Sequence, residues 1–61
     1  MNPDSTAMAE RIRAAVVAAG LAGYEDAAMQ GLCADGAWEA AVSAMRRLDL
    51  DAVLAGRSAK G

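Results

Sequence analysis

Alanine is the most frequent residue in this sequence, and large apolar side chains are few. The chain has one tryptophan, one tyrosine and no phenylalanine. Alanine is the strongest helix former, and its small side chain lets two helices approach each other closely. The composition therefore predicts an all-α protein with a thin hydrophobic core.

The length limits how stable such a core can be. The chain has 61 residues, and a domain of this size buries only about 60% of the surface that its unfolded form exposes. Small domains commonly gain stability from disulfides, a metal, oligomerisation or very good helix packing. Cys33 is the only cysteine and there is no histidine, so we expect no intrachain disulfide, no zinc centre and no cofactor. Association with another chain or tight helix packing is therefore the remaining way for this chain to gain stability.

Glycine and capping residues delimit the first two predicted helices. After a loose start over residues 1–4, where Pro3 breaks regularity, the capping candidates are Asp4, Ser5 and Thr6. Gly20 is expected to end the first helix, because glycine accepts the left-handed conformation at a helix C-terminus. Residues 21–23 then form a connection to a second helix over 24–34. Gly31 within that helix indicates either a close backbone contact or a weak point.

The second half of the chain predicts two further helices. Asp35-Gly36 is a turn signal that precedes a third helix over 37–48. Asp49 or Asp51 caps a short fourth helix that closes at Gly56. Residues 57–61 form a loose tail.

Apolar residues recur at intervals of three and four in each long helix, which gives each one an apolar face. The residues of these faces, which we expect to be buried, are Met8, Ile12, Ala15, Val16 and Ala19; Tyr24, Ala28, Gly31 and Leu32; and Trp38, Ala41, Val42, Met45 and Leu48. Short connections make consecutive helices antiparallel. The predicted fold is a three-helix bundle, a helical hairpin plus an N-terminal helix, with a short C-terminal helix; dimerisation would complete its core.

The charges are few and unevenly distributed. The formal net charge is −2 and the isoelectric point is about 4.7. No lysine or arginine occurs between Ala14 and Met45, whereas four carboxylates do: Glu25, Asp26, Asp35 and Glu39. Nucleic-acid binding needs clustered basic residues, so it is not expected. The acidic region is either a solvated surface or an electrostatic match to a basic partner.

The segment from Met29 to Ala41, Met-Gln-Gly-Leu-Cys-Ala-Asp-Gly-Ala-Trp-Glu-Ala-Ala, resembles the middle of a tetratricopeptide-type or pentatricopeptide-type repeat. Gly36, Ala41 and Met45 stand at comparable places, and the resemblance covers residues 24–48. It implies a single helical hairpin. The chain has no second copy at a period of about 34 residues, and solenoids need about three units.

The residues that could carry chemistry are few. Cys33 lacks a histidine partner to activate it, so we expect a packed core cysteine; a redox-sensitive contact or an intermolecular disulfide is the alternative. The carboxylate pairs are expected to cap helices rather than to bind a cation or act as acid and base. No glycine-rich phosphate loop is present. The sequence therefore predicts a protein that is not an enzyme.

A small protein–protein interaction module is the predicted function: an accessory subunit, adaptor or inhibitor that self-associates. Tyr24 and Trp38 are expected to anchor the core or, where exposed, to form interface hot spots. The full set of interface candidates is Tyr24, Met29, Trp38, Arg46 and Arg47. The alternatives are an acidic regulatory partner of a basic protein, such as an antitoxin or nucleic-acid mimic, and a redox or metal sensor that uses Cys33.

The expected location is the bacterial cytoplasm. A single cysteine suits a reducing compartment. No apolar run approaches the roughly 20 residues that span a bilayer, and the first residues lack a basic signal region. The partner is expected to be another protein or a second copy of the chain, which we expect to form a homodimer.

Overall fold

A computed structural model describes residues 3–56 of the chain, and this part is helical without strands. Its helices are α1 (Pro3–Met29), α2 (Ala34–Arg46) and α3 (Leu50–Leu54). The all-α prediction is confirmed, but three helices replace the predicted four. Residues 1–2 and the predicted tail 57–61 lie outside the described residues.

Helix α1 begins earlier than the sequence predicts. Pro3 is its first residue and Asp4 lies in its first turn. Proline suits this position because its missing N–H would have no partner within the helix, and an acidic residue there interacts favourably with the helix dipole. The predicted loose start is therefore wrong for Pro3 and Asp4, which belong to the helix.

The predicted break at Gly20 is also wrong. Helix α1 continues through residues 20–23, and the predicted second helix is its C-terminal part, which ends at Met29 and not at Ala34. Glycine lowers the stability of a helix interior by about 1 kcal/mol relative to alanine but does not stop it. At Gly20 and Gly23 the missing side chain makes room for α2.

Gly31 closes α1, two residues after its last residue, Met29. Gly31 has φ +94°, its N–H donates to the carbonyl of Ala28 at 3.0 Å, and the N–H of Leu32 donates to that of Ala27 at 3.1 Å. These two bonds form a Schellman motif, in which a glycine in the left-handed region closes a helix. The glycine expected inside a helix is thus the one that ends it.

Helix α2 begins three residues before its predicted start. Cys33 is its N-cap, and the N–H of Ala37 donates to the Cys33 carbonyl at 2.8 Å. Asp35 therefore lies in the first turn, where negative charge is favourable, and Asp35-Gly36 is not the turn. The helix ends at Arg46, two residues before the predicted end.

The short C-terminal helix follows the prediction closely. The Asp49 side chain accepts a hydrogen bond from the N–H of Ala52 at 3.1 Å, as an N-cap does. The chain leaves the helix at Gly56, with φ +75°. Helix α3 packs against α1.

Helices α1 and α2 pack along a seam of small residues. A Cβ built on Gly23 would lie 2.9 Å from the Ala44 Cβ and 3.1 Å from the Ala40 carbonyl oxygen. One built on Gly20 would lie 3.1 Å from the Met45 Cγ. Glycine at both positions therefore permits the close approach of α2. The antiparallel pair has its hairpin end at residues 30–33 and its open end where α2 stops.

The resulting core contains only small side chains. Among the described residues the buried apolar ones are Ala27, Ala37, Ala41 and Ala52, and no large side chain is fully buried. The expected core residues Met8, Tyr24, Leu32 and Trp38 are exposed, and Ala28 and Gly31 are exposed as well. Ile12, Ala15, Val16, Ala19, Val42, Met45 and Leu48 are half-buried.

The molecule is a thin plate. Its extents are 43 × 25 × 13 Å, and an α-helix with its side chains is about 10–12 Å across. One layer of helices therefore makes up the fold, whereas a domain with a closed core has at least two layers. Both broad faces of α1 and α2 are open.

Candidate interaction surface

One broad face of the plate is apolar. Between α1 and α2 it forms an open groove of about 410 Å³ whose lining is almost entirely apolar: Val17, Gly20, Leu21, Tyr24, Trp38, Ala41 and Met45. We call this surface the apolar face. Gly20 and Ala41 are buried at its floor, and the larger side chains stand along both walls.

The helical repeat explains how the apolar face forms. Val17, Leu21 and Tyr24 follow one another at intervals of four and three residues, so they share one side of α1. Trp38 and Met45 are seven residues apart, which is two turns of α2. The face is continuous only because α1 is not interrupted at Gly20, since a break there would turn Tyr24 away from Val17.

The large side chains of the apolar face are strongly exposed. Trp38 is 60% exposed, Leu21 61%, Val17 52% and Tyr24 39%. Trp38 is therefore not a core anchor, and most of its indole faces solvent. Scattered apolar side chains are normal on a protein surface, but a contiguous patch is typical of an interaction site.

The opposite face is polar. It contains a smaller groove, of about 310 Å³, between the same two helices, where Asp26, Gln30, Ser43 and Arg47 stand around small residues and Leu32. The Gln30 side-chain amide donates to the Asp26 carboxylate at 2.8 Å. We call this surface the polar face. The two sides of the plate thus differ in chemistry.

The flank of the apolar face on α2 carries both signs of charge. Glu39 and Arg46 each follow an apolar-face residue, Trp38 and Met45 respectively, and both are exposed. Ala37 and Ala44, one residue before the same two positions, lie toward α1. Glu39 and Arg46 therefore stand on the outer edge of α2, about 10 Å apart along the helix.

Charge is also polarised along the plate. Residues 14–45, which include the hairpin end, contain four carboxylates and no base. In the other described residues, at the open end, Arg11, Arg13, Arg46 and Arg47 balance Asp4, Glu10, Asp49 and Asp51. One pair there, Arg13 with Glu10, lies at 3.3 Å and is well exposed, so it contributes little to stability.

The interface candidates predicted from the sequence are distributed over several places. Tyr24 and Trp38 line the apolar face, and Arg46 lies on its flank. Arg47 lines the polar face. Met29, 85% exposed, ends α1 and lines neither groove. Sequence reasoning missed Val17 and Leu21; the unbroken period from Val17 through Leu21 to Tyr24 could have found them.

Cys33 does not occupy the core position expected of it. It is exposed at the N-cap of α2, next to the turn, and its side chain makes no capping hydrogen bond. Within residues 3–56, no group of three or more histidine, cysteine or acidic residues could hold a metal ion. In the same range, no helix is both long enough and apolar enough to cross a membrane.

Comparison with known proteins adds no family to these observations. The chain matches no protein-family model, no curated protein and no solved structure.

Proposed function

We propose that this chain is a small, non-enzymatic protein–protein interaction module that binds through its apolar face and self-associates. It would act as an accessory subunit, adaptor or inhibitor, and not by chemistry of its own. The single cysteine, Cys33, suits a reducing compartment, so we place the module in the cytoplasm.

The observation that carries the proposal is that the large apolar side chains lie outside the core. The buried side chains of the described residues are alanines, whereas Leu21 and Trp38 remain more than half exposed. Burial of apolar area contributes about 25 cal/mol per Å², so a second layer of protein on this face would stabilise the fold considerably. Tryptophan and tyrosine are also the residue types that dominate binding energy at interfaces.

Photo-crosslinking tests whether the apolar face contacts protein. A benzoylphenylalanine residue replaces Leu21 on the apolar face or, as the control, Leu50 on α3, which is 48% exposed and lies outside the apolar face. After irradiation in cells we expect covalent protein adducts, with this chain or another, from position 21 and not from position 50. Equal yields from both positions, or none from either, would contradict the proposal.

The fluorescence of Trp38 reports the same contact in purified protein. Trp38 is the only tryptophan, and covering its exposed indole should shift its emission to shorter wavelength as the concentration rises. Leu21→Ser should weaken this transition by about a hundredfold, because each of the two copies loses a buried leucine, at about 1.5 kcal/mol apiece. Leu50→Ser makes the same chemical change off the face and should leave the transition within about twofold of wild type.

A further inference from the structure

The apolar face is large enough to seat a second copy. The broad side of the plate measures 43 × 25 Å, and the large side chains Leu21 and Trp38 are about 60% exposed on it. A standard protein–protein interface covers about 800 Å² on each partner. One interface of ordinary size therefore fits on this side of the plate.

The apolar face has the internal spacing of a self-complementary surface. Trp38 and Met45 are seven residues apart on α2. A two-fold axis perpendicular to α2 and midway between them brings Trp38 onto Met45 of a second copy. The same axis passes α1 close to Tyr24, because Gly23 lies against residues 40–44 of α2, so the two Tyr24 side chains meet near the axis. Most soluble homo-oligomers are symmetric, and the two-fold dimer is the commonest.

The flanking charges select the direction of that axis. With the axis across the helices, the two plates are antiparallel and Glu39 of one copy faces Arg46 of the other, since this pair has the same seven-residue spacing. If the axis ran along the helices instead, the hairpin ends of the two copies would lie together. Eight carboxylates and no base would then lie together, and like charges in contact disfavour an arrangement.

We propose that the occupant of the apolar face is a second copy of this chain, packed antiparallel about a two-fold axis perpendicular to the helices. This inference rests on the proposed function and specifies its partner. The two copies form a four-helix bundle in which each Trp38 packs on the partner copy's Met45. Two symmetry-related Glu39–Arg46 pairs flank the apolar contact, and the polar faces point outward.

Charge reversal tests this geometry. Glu39→Arg places two cations opposite each other in both Glu39–Arg46 pairs of the dimer. Arg46→Glu places two carboxylates opposite each other in both pairs. Each single variant should dimerise about tenfold more weakly than wild type, because each loses two pairs and gains two repulsions. An equimolar mixture of the two variants pairs opposite charges again, so sedimentation equilibrium should show a heterodimer of wild-type affinity. The double variant should dimerise alone.

Arg47→Glu is the matched control, since it makes the same charge change one residue away, on the polar face. It should leave dimerisation within about threefold of wild type, and circular dichroism should show equal helix content for all variants. Single variants that dimerise as wild type does, or a mixture no tighter than its components, would overturn the antiparallel arrangement. A chain that stays monomeric to millimolar concentration would overturn the inference and the self-association in the proposed function, while adducts to another protein from position 21 would still support an interaction module that binds through its apolar face.

Discussion

Gly20 and Gly23 set the distance between α1 and α2. Both lie inside α1, where they weaken the helix, and both lie against α2. The neighbours differ: at Gly23 they are a Cβ and a backbone carbonyl, whereas at Gly20 they are atoms of the flexible Met45 side chain. Backbone yields less easily than the end of a methionine, so the two glycines should respond differently to substitution.

Gly23→Ala should destabilise the protein and Gly20→Ala should not. Alanine improves helix propensity at either position by about 1 kcal/mol. At position 23 the added methyl is overpacked, which costs about 1–3 kcal/mol and leaves a net loss of roughly 1 kcal/mol. Urea unfolding of both variants, at one protein concentration, measures the difference. Equal stabilities would mean that α2 does not approach Gly23 closely.

The roles of these glycines could not be predicted locally. Gly20, Gly23 and Gly31 each occur among helix-forming residues, and each can either end a helix or permit close packing. Which role a glycine takes depends on whether another helix lies against it. That contact is made with residues about 20 positions away, which no local pattern shows.

At the scale of elements, α1 is the unexpected feature. The packing of α2 and α3 on its length offsets the weakening by two internal glycines, so a helix of 27 residues replaces two short ones. Its continuity is also what aligns Val17 with Tyr24 on the apolar face.

The distance between Ala7 and Ala28 tests that continuity. Both residues are exposed, and cysteines there can carry spin labels in a Cys33→Ser background. A continuous helix separates them by 21 residues, or about 32 Å at 1.5 Å per residue. Pulsed electron paramagnetic resonance, with labelled chain diluted in unlabelled chain, should give this distance. A hairpin at residues 21–23 would bring the labels to roughly half of it.

The sequence predicts some elements better than others for a physical reason. The all-α class and α3 follow from local interactions: alanine propensity, the Asp49 cap and the Gly56 stop. The α1–α2 turn was misplaced because Asp35-Gly36 and Gln30-Gly31 are both plausible turn pairs in isolation. The choice between them is made by the register in which α1 and α2 pack.

The residues of the apolar face were likewise only partly predictable from the sequence. Tyr24, Trp38 and Arg46 could be named from residue type alone, because these types dominate interfaces. Val17 and Leu21 could not be assigned to the face while a break was expected between them and Tyr24. The expectation that Trp38 is buried was wrong because the fold has no second layer to bury it.

At the scale of the whole molecule, we expect the single layer of helices to make stability depend on association. If folding and dimerisation are coupled, mass action raises the melting temperature with protein concentration, by about 5 °C per tenfold for a dimer of this size. Scanning calorimetry over a hundredfold range measures the slope. Reduced wild type and Cys33→Ser should both show this slope. A slope absent from oxidised wild type and restored by reductant would instead show that a Cys33 disulfide links the copies, because a covalent dimer does not dissociate on unfolding.

The seam of small residues between α1 and α2 affects when side chains lose conformational entropy. Alanine and glycine have no side-chain rotamers, so closing α1 on α2 through Gly23, Ala37 and Ala41 immobilises backbone alone. Leu21 and Trp38 are more than half exposed in the single chain. In the proposed dimer each would lose rotamer freedom on binding, at about 0.5–1.5 kcal/mol per side chain. Side-chain entropy that most proteins lose during folding would then be lost during association, which opposes tight binding.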